Sequence, residues 1–176
     1  MQKSLFTTQM MTRVASLIAI SVVLKAYLSF TDGPNWRFSL FGIPLIIIGI
    51  MYRPHIAIIS GLVVDLIYVM LSPFSWSINL MTLEAISFAL IPSLIVLFLG
   101  RESMTSKKIV FSIVLANMIG FLFNTIQLAI WARGIGPIIP FIPIRLVIMF
   151  VNMFIGSSLM VVLYQRLNSS ELIKEL

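Results

Sequence analysis

Four basic residues lie at the ends of apolar segments, where a cationic side chain could bind an anion. They are Lys25, Arg37, Arg133 and Arg145. An arginine guanidinium forms paired hydrogen bonds with a carboxylate or a phosphate. Asn35 and Trp36 precede Arg37, and Trp131 lies two residues before Arg133, so a ring and a guanidinium could together hold a flat acidic ligand. We predict an anion-binding site built from these residues; anchoring at a membrane interface is the alternative role of each.

Polar side chains inside the apolar segments could complete such a site. Asp65 and Glu84 are acids, and acids within membrane spans are rare and usually face the protein interior or a wet cavity. They could bind ligand amines or pair with an arginine, and a purely structural ion pair is the alternative. Four amides add to them: Asn117, Asn124, Gln127 and Asn152. We assign Asn124 and Gln127 to the predicted site, with hydrogen bonding between helices as the alternative.

The sequence offers little for catalysis. It contains no cysteine, which excludes disulfides, thiolate metal ligands and a cysteine nucleophile. The single histidine, His55, follows Pro54 in a predicted turn, so no metal site of the common kinds is predicted. The chain lacks a Gly-Lys-Ser phosphate loop, and it has no dense Lys/Arg tract of the kind that binds nucleic acid. We therefore predict a protein that is not an enzyme, needs no cofactor and binds no nucleic acid.

The elements that must position these residues are apolar helices. Hydrophobic residues make up 60% of the 176 residues and charged residues 10%, whereas a soluble domain carries about 25% charged residues. The apolar runs approach or exceed the ~20 residues of a membrane-spanning helix. We predict an all-α integral membrane protein, with residues 1–176 forming a single domain of six transmembrane helices embedded in lipid. The predicted spans are 10–30, 38–52, 54–71, 77–99, 109–131 and 141–165.

A break separates the second and third predicted spans. A single helix over residues 38–71 would be about 50 Å long at 1.5 Å per residue, well beyond the ~30 Å hydrocarbon core. Pro54 disfavours a helical conformation at Arg53. We therefore expect two helices here rather than one.

The distribution of basic residues predicts the orientation in the membrane. Of the 12 lysines and arginines, eight lie on the side that holds both termini. These are Lys3, Arg13, Arg53, Arg101, Lys107, Lys108, Arg166 and Lys174. The four residues introduced above lie on the other side. Both termini are accordingly predicted to be cytoplasmic, and the anion site extracellular.

The first predicted helix carries two small residues four positions apart, Ala15 and Ala19. Small residues at this spacing share a helix face and allow another helix to approach closely. Packing inside the protein and docking of a partner are both consistent with the pattern.

Several segments together form a recognisable pattern. They are residues 15–19, 21–25, 33–39, 42–44, 124–125, 133–134 and 143–145, with Gly49, Pro54, Gly61 and Asp65 between them. This pattern resembles the S components of energy-coupling factor (ECF) vitamin transporters, and is most similar to the folate-specific branch.

The resemblance implies a fold, an activity and partners. S components of this family are six-helix proteins of the bacterial plasma membrane that bind one vitamin tightly near the extracellular side. They dock on a transmembrane scaffold subunit that is driven by two cytoplasmic ATPases. Alanines of the first helix form the docking face, which here would be Ala15 and Ala19.

Folate would match the predicted site residues. It carries two carboxylates, which Arg37, Arg133 and Arg145 could pair with, and a flat pterin ring. Trp36 or Trp131 could stack on a ring. The acids at positions 65 and 84 could accept hydrogen bonds from the pterin amines.

Three alternatives remain open from the sequence. The chain could be an S component for another vitamin, such as pantothenate, which has one carboxylate, or riboflavin, which has none. It could be a small membrane-embedded enzyme, although we find no catalytic cluster at one membrane face. It could also be a channel, although no repeated pore-loop pattern occurs.

Overall fold

The computed structural model describes residues 8–31, 37–71, 79–100 and 105–169. Its α-helices are α1 (Thr8–Ala26), α2 (Gly42–Met51), α3 (Pro54–Leu71), α4 (Leu80–Leu99), α5 (Ser106–Trp131) and α6 (Ile142–Ser169). A 3-10 helix, Gly136–Phe141, leads into α6. Between α1 and α2, the two-residue strands β1 (Phe30–Thr31) and β2 (Arg37–Phe38) pair antiparallel. The described chain is therefore almost wholly helical, in agreement with the predicted fold class.

The second helix is shorter than predicted. The predicted span 38–52 begins in β2, where Phe38 pairs with Phe30 in an extended conformation, and helix forms only from Gly42. With 10 residues, α2 is about 15 Å long, half of the ~30 Å hydrocarbon core. Five other helical segments of the described chain are long and apolar enough to cross a membrane. Six spans therefore stay a prediction: five helices of the described chain have the length of a full span, and α2 is a shorter apolar helix.

The chain breaks between α2 and α3 at the residues that precede Pro54. Tyr52 is extended, with φ −126° and ψ 167°, and α3 begins directly at the proline. The carbonyl oxygen of Tyr52 accepts a hydrogen bond of 2.9 Å from the hydroxyl of Ser93 on α4. A side chain of α4 thus replaces one of the helical bonds that the break removes.

Helix α4 lies at the centre of the bundle, packed against α2, α3 and α5. Two glycines make this close packing possible. A Cβ atom at Gly49 would lie 2.1 Å from the carbonyl oxygen of Ala89, and one at Gly61 would lie 2.6 Å from the Cα of Ile86. Both neighbours are backbone atoms of α4, which cannot move aside as a side chain would. The two glycines therefore set the distance between α4 and its partners.

Two serine hydroxyls tie the segment before α2 to α1. The hydroxyl of Ser21 donates to the carbonyl oxygen of Phe41 at 2.6 Å, and the hydroxyl of Ser39 donates to the carbonyl oxygen of Leu24 at 3.1 Å. Buried backbone carbonyls outside a helix need such partners. These bonds hold the ring of Phe41 beside the end of α1, where a cavity opens.

Candidate functional site

A partly enclosed cavity of about 830 Å³ lies between the helices. It is enclosed by the end of α1, the segment before α2, and parts of α3, α4, α5 and α6. Its volume falls in the range of small-molecule sites, roughly 300–1,000 Å³. The charged and amide side chains that line it are Lys25, Asp65, Asn79, Glu84, Asn117, Asn124, Arg145 and Asn152.

One end of the cavity holds a buried ion pair between α1 and α3. The ammonium group of Lys25 donates to Oδ1 of Asp65 at 2.5 Å, and the two residues are 5% and 4% exposed. The hydroxyl of Thr82, at the start of α4, donates to Oδ2 of the same carboxylate at 2.6 Å. The Lys25 ammonium also lies 4.8 Å from the ring centre of Tyr68 and 4.9 Å from that of Phe41. Three helices thus meet at one carboxylate.

A chain of hydrogen-bonded side chains joins α4, α5 and α6 at the cavity. The amide nitrogen of Asn124 donates to Oε2 of Glu84 at 2.8 Å. The oxygen of the same amide accepts from Nη2 of Arg145 at 2.6 Å. Arg145 is only 8% exposed, and its guanidinium lies 5.8 Å from the ring centre of Phe121. Its other terminal nitrogen, Nη1, is buried and has no hydrogen-bond partner within the described chain.

The charges of the described cavity lining balance. Two basic residues, Lys25 and Arg145, are matched by two acids, Asp65 and Glu84. Charges buried in a membrane protein are costly unless they are paired. The two pairs differ, because Lys25 contacts its acid directly, whereas Asn124 separates Arg145 from Glu84. Arg145 therefore keeps a donor that can face a ligand.

The predicted site residues do not all converge on this cavity. The predicted site residues that line it are Asp65, Glu84, Asn124, Trp131 and Arg145. Trp131 ends α5 with 54% of its surface exposed. Arg133 is exposed, adopts the left-handed region at φ 56° and is not part of the lining. Gln127 is buried and caps α4 instead, its Oε1 accepting from the backbone nitrogen of Leu80 at 3.0 Å.

Five predicted residues remain, three before α2 and two on α1. Asn35 and Trp36 lie outside the described residues. Arg37 lies in β2, opposite Thr31, and only its backbone is described. Ala15 and Ala19 are both exposed on α1. Among the described residues, no group of three His, Cys, Asp or Glu side chains is placed to hold a metal ion.

The sequence did not predict the aromatic residues and the threonine that contact the buried ion pair and the hydrogen-bonded chain. Tyr68 lies one helical turn after Asp65, and Phe121 lies one turn before Asn124. Residues three apart on a helix share a face, so an aromatic side chain one turn from a buried polar residue was a usable signal. Thr82 carried no such signal, because its contact with Asp65 depends on how α3 and α4 pack.

Comparison with known proteins identifies the fold and the family. The family model described as "ECF transporter, substrate-specific component" matches residues 9–133. Seven chains of solved structures match, including one titled "Crystal structure of FolT bound with folic acid". That match has a TM-score of 0.74 and 21% sequence identity, and it covers 88% of this chain and 92% of that chain. The comparison with curated sequences finds no match.

The family match spans well over half of the chain and includes Lys25, Asp65, Glu84 and Asn124. The similar solved structure extends the shared fold to most of the chain. The apolar helices fit a multi-pass membrane protein. The chain belongs to the substrate-specific components of ECF transporters, and it is therefore a substrate-binding subunit of a membrane transporter and not an enzyme.

Proposed function

We propose that this protein binds folate with high affinity in the cavity between its helices and delivers it into the bacterial cell. Delivery would proceed by docking on the ECF scaffold subunit, which two ATPases drive. The observation that carries the proposal is the chain Glu84–Asn124–Arg145, whose arginine lines the cavity and has a buried guanidinium nitrogen with no partner among the described residues. The folate-bound protein of similar fold supports the choice of vitamin.

The carboxylates and the rings of folate each have candidate partners among the site residues. A folate carboxylate fits Nη1 of Arg145, because a charged donor binds an ionised acceptor more strongly than a neutral one. We assign the second carboxylate to Arg37 and Arg133. Flat rings fit the aromatic lining formed by Phe121, Phe88 and Trp131.

The two acids differ in their availability to the pterin amines. Both carboxylate oxygens of Asp65 already accept hydrogen bonds, one from Lys25 and one from Thr82. Asp65 therefore serves mainly to hold the cavity wall together. We assign Glu84 as the acid that accepts from the ring N3–H group of the pterin.

Calorimetric titration of the purified protein in detergent tests the proposal. We expect tight one-to-one binding of folate without ATP or partner subunits, and much weaker binding of riboflavin and pantothenate. Riboflavin has no carboxylate for Arg145, and pantothenate has no fused ring for the aromatic lining. Binding of another vitamin in place of folate would keep the family and overturn the choice of ligand. No binding of any of the three would overturn the assignment of the cavity.

Docking is expected to be separable from binding. Ala15 and Ala19 are exposed and four residues apart on α1, so they share one face. Lys25, by contrast, is buried in the cavity wall. Ala15→Trp combined with Ala19→Trp should abolish folate uptake by cells, because bulky rings prevent close approach of the scaffold helices. Folate affinity of the purified variant should be unchanged.

A matched control is available on the same helix. Ile20 is 51% exposed and lies about 100° around the helix from Ala19. Ile20→Trp adds the same bulk at a different face and should leave uptake intact. Equal loss of uptake in both variants, or lost folate binding in the double variant, would argue against a docking face at the two alanines.

A further inference from the structure

One face of α6 lines the cavity over about three helical turns. Its members are Arg145, Ile148, Met149, Asn152 and Gly156. Arg145 and Asn152 are seven residues apart, which places them on the same side of the helix, about 10 Å apart along its axis. The face therefore has a cationic donor and an amide two turns apart, with apolar side chains between them.

The amide of Asn152 is the polar group of this face that the proposed function does not use. Its Oδ1 atom is buried and accepts no hydrogen bond within the described chain. The other amides that line the cavity differ. Asn79 caps α4, Asn117 donates to the carbonyl oxygen of Ile113 at 2.8 Å, and Asn124 bonds on both sides. A buried acceptor without a donor is costly. A ligand that supplied a donor would remove this cost.

The space between the two polar ends suits a flat apolar body. Ile148 and Met149 line it from α6, and Phe88 and Phe121 line it from α4 and α5. Aromatic and aliphatic walls favour a ring system over a flexible polar chain. A molecule lying along α6 would thus meet a guanidinium at one end, apolar walls along its length and an acceptor at the other end.

We infer that Asn152 is a specificity-determining residue whose Oδ1 accepts a hydrogen bond from an amino group on the ligand's ring, while Arg145, two turns away, binds the ligand's carboxylate. The pair selects elongated molecules with an amino-substituted flat ring at one end and a carboxylate at the other. The inference rests on the proposed function, and for folate the donor is the 2-amino group of the pterin ring.

The test compares two ligands on the unaltered protein and on Asn152→Leu. The ligands are folate and a folate analogue in which a methyl group replaces the 2-amino group. The unaltered protein should prefer folate by about tenfold or more, the scale of a buried polar group left without its partner. Asn152→Leu should bind folate about tenfold more weakly and lose the preference, because neither ligand then has a partner for its 2-substituent.

Thr125 supplies a control for the effect of removing a buried polar atom. Its Oγ1 is also buried without a partner in the described chain, but Thr125 is not part of the cavity lining. Thr125→Val should retain both the folate affinity and the preference. The melting temperature of each ligand-free variant should equal or exceed that of the unaltered protein, so a loss of binding in Asn152→Leu cannot be ascribed to unfolding.

The outcomes separate the inference from the proposed function. Equal affinity of the unaltered protein for the two ligands would overturn the role of Asn152, and so would a preference that survives in Asn152→Leu. The first comparison needs no variant and holds even if a substitution fails to fold. Absence of folate binding by the unaltered protein would instead overturn the proposed function, and the folate assignment with it.

Discussion

Asp65→Leu is expected to lower the free energy of unfolding by about 3–5 kcal/mol, the scale of breaking a buried ion pair by removing one partner. The substitution leaves the Lys25 ammonium, 5% exposed in the wild-type protein, without its carboxylate. It also removes the acceptor of the Thr82 hydroxyl. The contacts of Lys25 with the rings of Phe41 and Tyr68 offset only part of this cost, since a cation–π contact contributes about 0.5–2 kcal/mol.

The paired variant Lys25→Met, Asp65→Leu is the control. Removing both charges leaves neither partner buried alone, and apolar replacement of a buried ion pair is often neutral or stabilising. We expect the double variant to recover most of the stability that Asp65→Leu loses, as measured by denaturant or thermal unfolding in detergent. A double variant as unstable as the single one would show that Asp65 acts mainly through Thr82 and the packing of α4. Equal stability of Asp65→Leu and the wild type would contradict the buried ion pair itself.

Arg145→Met is expected to weaken folate binding by about 1.5–3 kcal/mol, the contribution of a hydrogen bond to a charged group. This corresponds to a loss of roughly 10- to 150-fold in affinity. Methionine retains the apolar stem that packs beside Phe121 while removing both the donor to Asn124 and the donor to the ligand.

Isothermal titration with folate checks this prediction, and Arg166→Met is its matched control. Arg166 lies in the last turn of the same helix, is exposed and is not part of the cavity lining. The control should bind folate as the unaltered protein does. Arg145→Lys retains a positive charge but lacks the planar fork that serves Asn124 and a ligand together, so it should fall between the two. If Arg145→Met kept full affinity, Arg145 would only neutralise Glu84.

The largest features of the chain could be read from local sequence. Membrane class follows from composition, because hydropathy is a property of each segment by itself. The break before α3 follows from Pro54, which restricts the residue before it wherever the helix lies. The extended start of the second predicted span is the exception, since there Phe38 pairs with Phe30, a contact that the local sequence does not predict.

The site itself was only partly readable. The sequence marks three charged residues as candidates, Asp65, Glu84 and Arg145, because a charge in an apolar segment needs a partner. It does not predict which partner each residue has. Lys25 and Arg145 looked equivalent at the ends of their segments, yet one contacts an acid directly and the other keeps a buried nitrogen with no partner among the described residues.

What the sequence by itself determined is therefore the class of protein, most of its helices and the identity of the polar residues that must be buried or paired. What only the tertiary structure decided is which of those residues form the buried ion pair, which one caps a helix and which ones form the hydrogen-bonded chain at the cavity. Gln127 and Asn124 lie three residues apart on one helix, but the first caps α4 and the second bridges Glu84 and Arg145. The physical reason is that each partner lies 21 to 47 residues away along the chain, so the pairing depends on the rotation and height at which the helices pack.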